Sequence, residues 1–324
     1  MNKINSLHIL PTNFCALRCK HCGIKSGSDN DTFLDLKLLP PILEYAKNIG
    51  CQLVNISGGG EPFSIDLELK DIVKMISDQS MISRITTNGF WGYTMQNTLK
   101  RLEELNEVGL NQLFLSISEG HCEFVPIDYI SNILLVSEKL GIQSCLYFLK
   151  LNDKQSIYSK VINQLSMESI PIPLSYEYPL IPVGRADENF SSNLYLLIDV
   201  NLLRGPCLSM GKNICIHPDG NVTACAMIIA NECNPLIFGN IYINSFDDII
   251  LKINNSPLVK WISLYGVVAL KETIEHNTKI HFRDNYVNIC HLCSEIFQNE
   301  DALIFIEHKL HLYLKKNKNA NSQL

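Results

Sequence analysis

Three thiols lie close together near the N-terminus: Cys15, Cys19 and Cys22, spaced CX3CX2C in Phe14-Cys-Ala-Leu-Arg-Cys-Lys-His-Cys22. Three thiolates in one loop can hold three corners of a cubane [4Fe–4S] cluster and leave the fourth iron open. An open iron binds a substrate or cofactor; a closed four-cysteine site transfers electrons or holds structure. Zinc is the alternative, but structural zinc takes four ligands, commonly in paired CX2C knuckles, and this triplet has no fourth partner nearby in sequence. The second half carries Cys207, Cys225, Cys290 and Cys293. Twelve cysteines with no export signal read as metal or redox use rather than a disulfide framework. Cys51, Cys122, Cys145, Cys215 and Cys233 are left over, and buried packing is their default reading.

The elements that must position these thiols follow from periodicity. Residues 5–180 alternate short apolar runs with amphipathic stretches. Strands are expected at Leu7–Leu10, Gln52–Ser57, Ile82–Thr87, Gln112–Ser118, Gln143–Leu149 and Ser175–Tyr178. Helices are expected between them: one opened by Pro40 and Pro41 and stopped by Gly50, one through Leu69–Ile76, one through Leu99–Leu105, Ile130–Leu140 capped by Gly141, and Ser156–Met167. This alternation implies a parallel sheet with outer helices, a barrel or part of one, with its site at the C-terminal ends of the strands. The further polar motifs fall there. Ser57-Gly-Gly-Gly-Glu-Pro62 follows the second strand, Thr87-Asn-Gly89 the third, Ser116-Ile-Ser118 the fourth, and Pro182-Val-Gly-Arg-Ala186 the sixth. The glycines let a ligand approach the backbone, or make a plain turn. Arg185 is able to pair with a carboxylate.

From about residue 200 the pattern changes. Cys215–Cys225 reads as a β-hairpin around Pro-Asp-Gly-Asn, which brings Cys215 near Cys225 as an alternative ligand or a reactive thiol. Ser245 opens a helix, residues 268–289 show no clear period, and Glu300–Leu314 reads as a terminal helix. The expected fold class is α/β, a partial (β/α)6 barrel over 1–195 followed by a small α+β module over 196–324. A net charge of −6 argues against a nucleic-acid groove, and the basic tail at Lys315, Lys316 and Lys318 reads as a solvated end. No apolar stretch is long enough for a membrane span, and the start lacks a signal-peptide core. A cytoplasmic location is expected, with no nucleic-acid or membrane partner.

CX3CX2C, Gly-Gly-Glu-Pro, Thr-Asn-Gly and a Ser-ended strand, in this order on βα units, resemble the radical S-adenosylmethionine (SAM) superfamily over roughly residues 5–190. The resemblance implies a [4Fe–4S] cluster on Cys15, Cys19 and Cys22 whose open iron chelates SAM. It implies that Gly59, Gly60 and Glu61 receive the SAM ammonium, that Asn88, Ser118 and Arg185 reach its ribose and carboxylate, and that His21 contacts adenine. Reductive cleavage of SAM would then give a 5′-deoxyadenosyl radical able to abstract hydrogen from an unactivated C–H bond. An electron donor such as flavodoxin or ferredoxin is implied. The run from Cys207 through Gly220 to Cys225, then Phe238-Gly-Asn-Ile241 and Cys290-His-Leu-Cys293, resembles the SPASM and twitch modules. That implies one auxiliary [4Fe–4S] cluster on Cys207, Cys225, Cys290 and Cys293, with structural zinc as the alternative.

Thr87-Asn-Gly-Phe-Trp-Gly92, His121 after Ser118, and the segment around Cys290 and Cys293 resemble radical SAM epimerases of ribosomal peptides. In that family a hydrogen-donor cysteine directly follows the hairpin ligand; here that position is Ala226. Cys215 or Cys122 would have to serve instead. The expected function is therefore a radical SAM maturase of a ribosomally made peptide, forming a C–C, C–O or thioether crosslink. Epimerisation from L to D with a non-standard donor is one alternative. A non-enzymatic iron–sulfur electron carrier or sensor is another.

Overall fold

The computed structural model describes residues 4–152, 157–227 and 234–321. Ser156, Cys233 and the side chains of Lys315, Lys316 and Lys318 lie outside the described residues. Six parallel strands alternate with helices: β1 (Ser6–Ile9), α1 (Leu39–Asn48), β2 (Leu53–Ile56), α2 (Asp66–Asp78), β3 (Ile82–Thr87), α3 (Met95–Glu107), β4 (Gln112–Ile117), the short α4 (Glu119–Cys122), α5 (Ile127–Leu140), β5 (Gln143–Lys150), α6 (Ile157–Met167) and β6 (Leu174–Pro179). A short α7 (Arg185–Asn189) and β7 (Ile198–Asp199) follow. Then come the hairpin β8 (Asn213–Ile216) and β9 (Asn221–Thr223), β10 (Ile237–Asn240), α8 (Phe246–Asn255), α9 (Pro257–Asn277), β11 (Asn285–Tyr286), α10 (Ile289–Gln298) and α11 (Glu300–Asn321).

The sheet continues past residue 195. Its order is β10-β9-β8-β1-β2-β3-β4-β5-β6, and β8 pairs in parallel with β1. The hairpin expected to belong to a separate module therefore extends the barrel wall.

The two faces of the wall differ in chemistry, because successive strand residues point to opposite sides. Leu7, Ile9, Val54, Ile56, Ile85, Leu113, Leu115, Leu146 and Phe148 are all essentially inaccessible and belong to the apolar core. Phe148 meets Tyr158 of α6, which identifies this as the helix-covered face. On the other face His8, Asn55, Arg84 and Gln112 stand side by side in register, with Cys215 beside His8. This polar row lines the concave lumen.

One element departs from expectation. Helix α9 covers residues 257–277, half of the stretch with no clear period. The chain breaks at Gly266 (φ 85°, ψ 176°), so no single stripe runs along it. A Cβ at Gly266 would overlap the Gly205 carbonyl, and a bond from Cys207 N to the Ile262 carbonyl (3.0 Å) ties the same crossing. Val267, Val268, Leu270, Lys271 and Ile274 are buried, the Lys271 ammonium meeting Glu275 at 2.9 Å. Burial that wraps the helix erases the amphipathic signal.

Candidate functional site

The cysteine loop lies directly against the turn after β2. Gly60 N donates to the Thr12 carbonyl (2.5 Å) and Glu61 N to that of Phe14 (2.8 Å). A side chain at Gly60 would overlap the Phe14 carbonyl, so backbone must pack on backbone here. The Ser26 hydroxyl, buried at the far end of the loop, donates to the Gly59 carbonyl. The Glu61 carboxylate is buried and accepts from Thr87 Oγ1 (2.6 Å), Asn88 N (2.8 Å) and Phe63 N (3.1 Å). It thereby pins the turn after β3 to the turn after β2. Burial raises it to about 7 against the pull of these three donors. Its oxygens serve the fold, and the Gly59 carbonyl is likewise engaged, by the Ser26 hydroxyl.

The loop thiols form one set. Burial pushes Cys15 up to about 12, helped by the charge of Glu61, and pushes Cys19 up to about 12, helped by Cys15 and Cys22. Buried, mutually coupled and unbridged soft donors suit an iron–sulfur cluster, whose iron must displace the protons they hold. Asn88 places its Nδ2 3.7 Å from Cys15 Sγ, while its Oδ1 accepts from Phe90 N. Ser118 caps α4 by accepting from His121 N (3.1 Å), and its hydroxyl lies 3.4 Å from either ring nitrogen of His21. His21 and His121 meet edge to face at 4.5 Å. Burial lowers both, His21 to about 4, so the pair is neutral at pH 7. One donor atom each from Cys19, His21 and His121 falls within a 4.8 Å group.

Arg185 comes to the loop rather than to open space. Its Nε donates to the Cys19 carbonyl (2.9 Å), its Nη2 to that of Ser26 (2.6 Å), and its backbone N to that of Cys22 (3.0 Å). The guanidinium expected to meet a SAM carboxylate thus braces the cluster loop. Thr87, named in the Thr87-Asn-Gly89 motif, and Ser26, which the sequence did not mark, carry the same anchoring work. A lone serine gives no spacing signal.

In the second set, Cys207, Cys225 and Cys290 lie within electrostatic reach of one another. Cys293 is buried one helical turn beyond Cys290 on α10. Cys215 lies near Cys225 and is pushed up by burial. Ala226 is half-buried beside Cys225. Cys122 sits at the end of α4, within reach of Glu119 and of Lys160 on α6, on the helix side of the wall.

The lumen floor is a polar network that the sequence reading passed over. His8 is held by Ser6 (3.0 Å) and Asn55 (3.2 Å), and Asn55 accepts from Thr86 (3.1 Å). Arg84 donates to Gln112 (2.8 Å) and lies over the Phe114 ring at 4.1 Å. Tyr147 and Tyr178 stack at 4.5 Å, and Cys290 is among the groups that bear on Tyr147. Polar residues at alternate positions in otherwise apolar strands were the available signal.

Residues 9–132 match the radical SAM superfamily, and residues 207–294 match the SPASM iron–sulfur cluster-binding domain. A protein named for peptide biosynthesis, YydG of Bacillus subtilis (strain 168), is 25% identical over 318 residues, covering 94% of this chain and 95% of its own. A GTP 3′,8-cyclase of Syntrophomonas wolfei is 27% identical over 180 residues, covering 53% of this chain and 46% of its own. The solved structure of native anSMEcpe with bound AdoMet superposes with a TM-score of 0.56 at 12% identity, over 94% of this chain and 99% of that one. With the loop, the glycine turn and the second cysteine set placed as described, the chain is a SAM- and [4Fe–4S]-dependent enzyme of the radical SAM superfamily that carries a SPASM iron–sulfur domain.

Proposed function

We propose that this enzyme modifies a ribosomally made peptide, beginning with abstraction of a hydrogen atom from a C–H bond and ending in a C–C, C–O or thioether crosslink. The observation that carries this reading is the position of two cysteine sets on one lumen. Cys15, Cys19 and Cys22 stand at the C-terminal mouth, and Cys290 stands close to Tyr147 of the lumen face. The near full-length likeness to YydG, named for peptide biosynthesis, supports a peptide substrate. So does β6, an edge strand with Tyr176 and Tyr178 about two-fifths exposed, open to an extended chain.

Cys15, Cys19 and Cys22 would hold the SAM-binding cluster, and Cys207, Cys225, Cys290 and Cys293 an auxiliary one. When bound, SAM and the reduced cluster supply a 5′-deoxyadenosyl radical. The chain's own residues orient and exclude water: the glycine turn at Gly59 and Gly60 would receive the ammonium, the neutral His21 ring packs beside the loop, and Trp91 closes the third turn by donating to Thr87 (3.0 Å). A flavodoxin or ferredoxin would deliver the electron. The barrel function would reside in residues 1–195 and the auxiliary ligands in 196–324.

Crosslinking removes two hydrogens from the peptide, so an electron must leave it, and a cluster on the set that includes Cys290, which bears on Tyr147, would receive one. Ala226 offers no thiol, and Cys122 lies on the helix side of the wall. Epimerisation is the second reading, favoured by one observation: Cys215 shares the lumen row with His8.

The test is anaerobic reaction of the neighbouring small peptide with SAM and reductant in heavy water, read by mass spectrometry. Loss of two hydrogens supports crosslinking. Gain of one deuterium, abolished by Cys215→Ala, replaces it with epimerisation. Reductive SAM cleavage without any peptide product refutes both.

A further inference from the structure

We propose that Arg185 is a positioning residue for the SAM-binding cluster: it fixes the geometry of the cysteine loop, and its charge raises the cluster's reduction potential. This rests on the reading that Cys15, Cys19 and Cys22 hold that cluster.

The geometry is a brace with its two side-chain bonds seven positions apart on the loop. Nε reaches the Cys19 carbonyl and Nη2 that of Ser26, while the backbone N takes the carbonyl of Cys22. Gly184, at φ 58°, lies so close to the loop that a Cβ there would overlap the Gly23 carbonyl. Asn189 adds bonds to the carbonyls of Lys20 (3.4 Å) and Arg185 (2.7 Å). Surface pairs also join the two segments, such as Lys25 with Glu188 at 2.7 Å, but each of those side chains is half in water. An exposed pair is screened by water and contributes little, whereas a hydrogen bond from a charged group is among the stronger ones. The half-buried guanidinium therefore outweighs them.

The charge is not paired off in a salt bridge, although the Glu61 carboxylate acts on Cys15 in the opposite sense. Among the described residues no carboxylate pairs with Arg185, unlike Arg18, Lys20 and Lys25 of the loop, each matched to an acid. Its field reaches both Cys15 and Cys19, and it is the cation that bears on them among the principal influences. Reduction adds one electron to an anionic cluster. A nearby cation that no salt bridge neutralises stabilises the reduced form more than the oxidised form, so the potential rises. Peptide-bond dipoles at Cys19 and Ser26 hold the guanidinium in place without cancelling its charge.

The experiment is an EPR-monitored redox titration of the anaerobically reconstituted full chain, with and without SAM. The SAM-binding cluster is the signal that changes when SAM is added. Arg185→Gln keeps an amide donor and loses the charge; Arg185→Lys keeps the charge. The expected result is a more negative midpoint for the SAM-responsive signal in the Gln variant, with the Lys variant close to wild type and the SAM-unresponsive signal unmoved. Equal midpoints for Gln and wild type at equal iron content overturn the inference. If the Gln variant does not retain the cluster, retention by the Lys variant supports it and loss in both overturns it. A wild-type chain with no SAM-responsive signal refutes the ligand reading itself, which is a separate and distinguishable failure.

Discussion

The Glu61 carboxylate shows how a motif residue divides its work. Its side chain is consumed by Thr87, Asn88 and Phe63, while the glycines before it let backbone pack on backbone. Its folded value, about 7, lies above the ordinary 4.5, so the folded chain keeps a proton there that the unfolded chain has lost. Stability therefore falls as pH rises from about 4.5 to about 7 and is flat above that window. Glu61→Gln should flatten this stretch of the Tm-against-pH curve. At neutral pH it should also cost roughly 1–3 kcal/mol, because an amide N–H then faces another donor. The thiols make a second prediction. Alanine at Cys15, Cys19 or Cys22 should each remove about four irons per chain and abolish SAM cleavage. Alanine at Cys225 should remove auxiliary iron and leave the SAM-responsive EPR signal in place. The cysteine spacings were legible because metal ligation demands fixed residue types. The partners of Arg185 and Glu61 were not, since both reach across turns that are distant in sequence and meet only in the fold.

At the scale of elements, the parallel strands and their helices appear where periodicity put them, because each strand is half apolar and each helix carries one apolar stripe. Ile82–Thr87 has the same limits in both readings, and Gly141 ends α5 at φ 73°. What escaped the sequence was non-local: the pairing of β8 with β1, and α9, whose kink at Gly266 and all-round burial hide its period. The contact between α7 and the cysteine loop depends on Gly184. Gly184→Ala adds a side chain where φ is +58° and where the Gly23 carbonyl already sits. A φ of 58° with ψ −133° is a conformation that glycine adopts and other residues hold only under strain of about 1–3 kcal/mol, and displacement of the loop comes on top. The variant should show a lower Tm and reduced iron retention on desalting, whereas Gly141→Ala, with nothing near its Cβ, should lose stability but keep its iron.

For the whole molecule, one polar lumen carries a row of tyrosines with Cys290 bearing on Tyr147, so in the proposed reading substrate selection and chemistry share a wall. Alanine at Tyr176 or Tyr178 should raise KM for the peptide by about tenfold, the equivalent of ~1.4 kcal/mol, with little change in the slow SAM cleavage seen without peptide. An equal fall in SAM cleavage without peptide would assign those rings to the fold instead. The strand order runs from β10 to β6 and does not return upon itself. A wall with two free margins can be loaded sideways. A polypeptide laid across it need not be threaded from either end, so a residue in mid-chain, or in a ring already closed, is as reachable as one at a terminus. On the proposed crosslinking reading, an enzyme built this way can revisit a product it has already tied, and the order in which successive links are made becomes a property of the peptide's own shrinking slack.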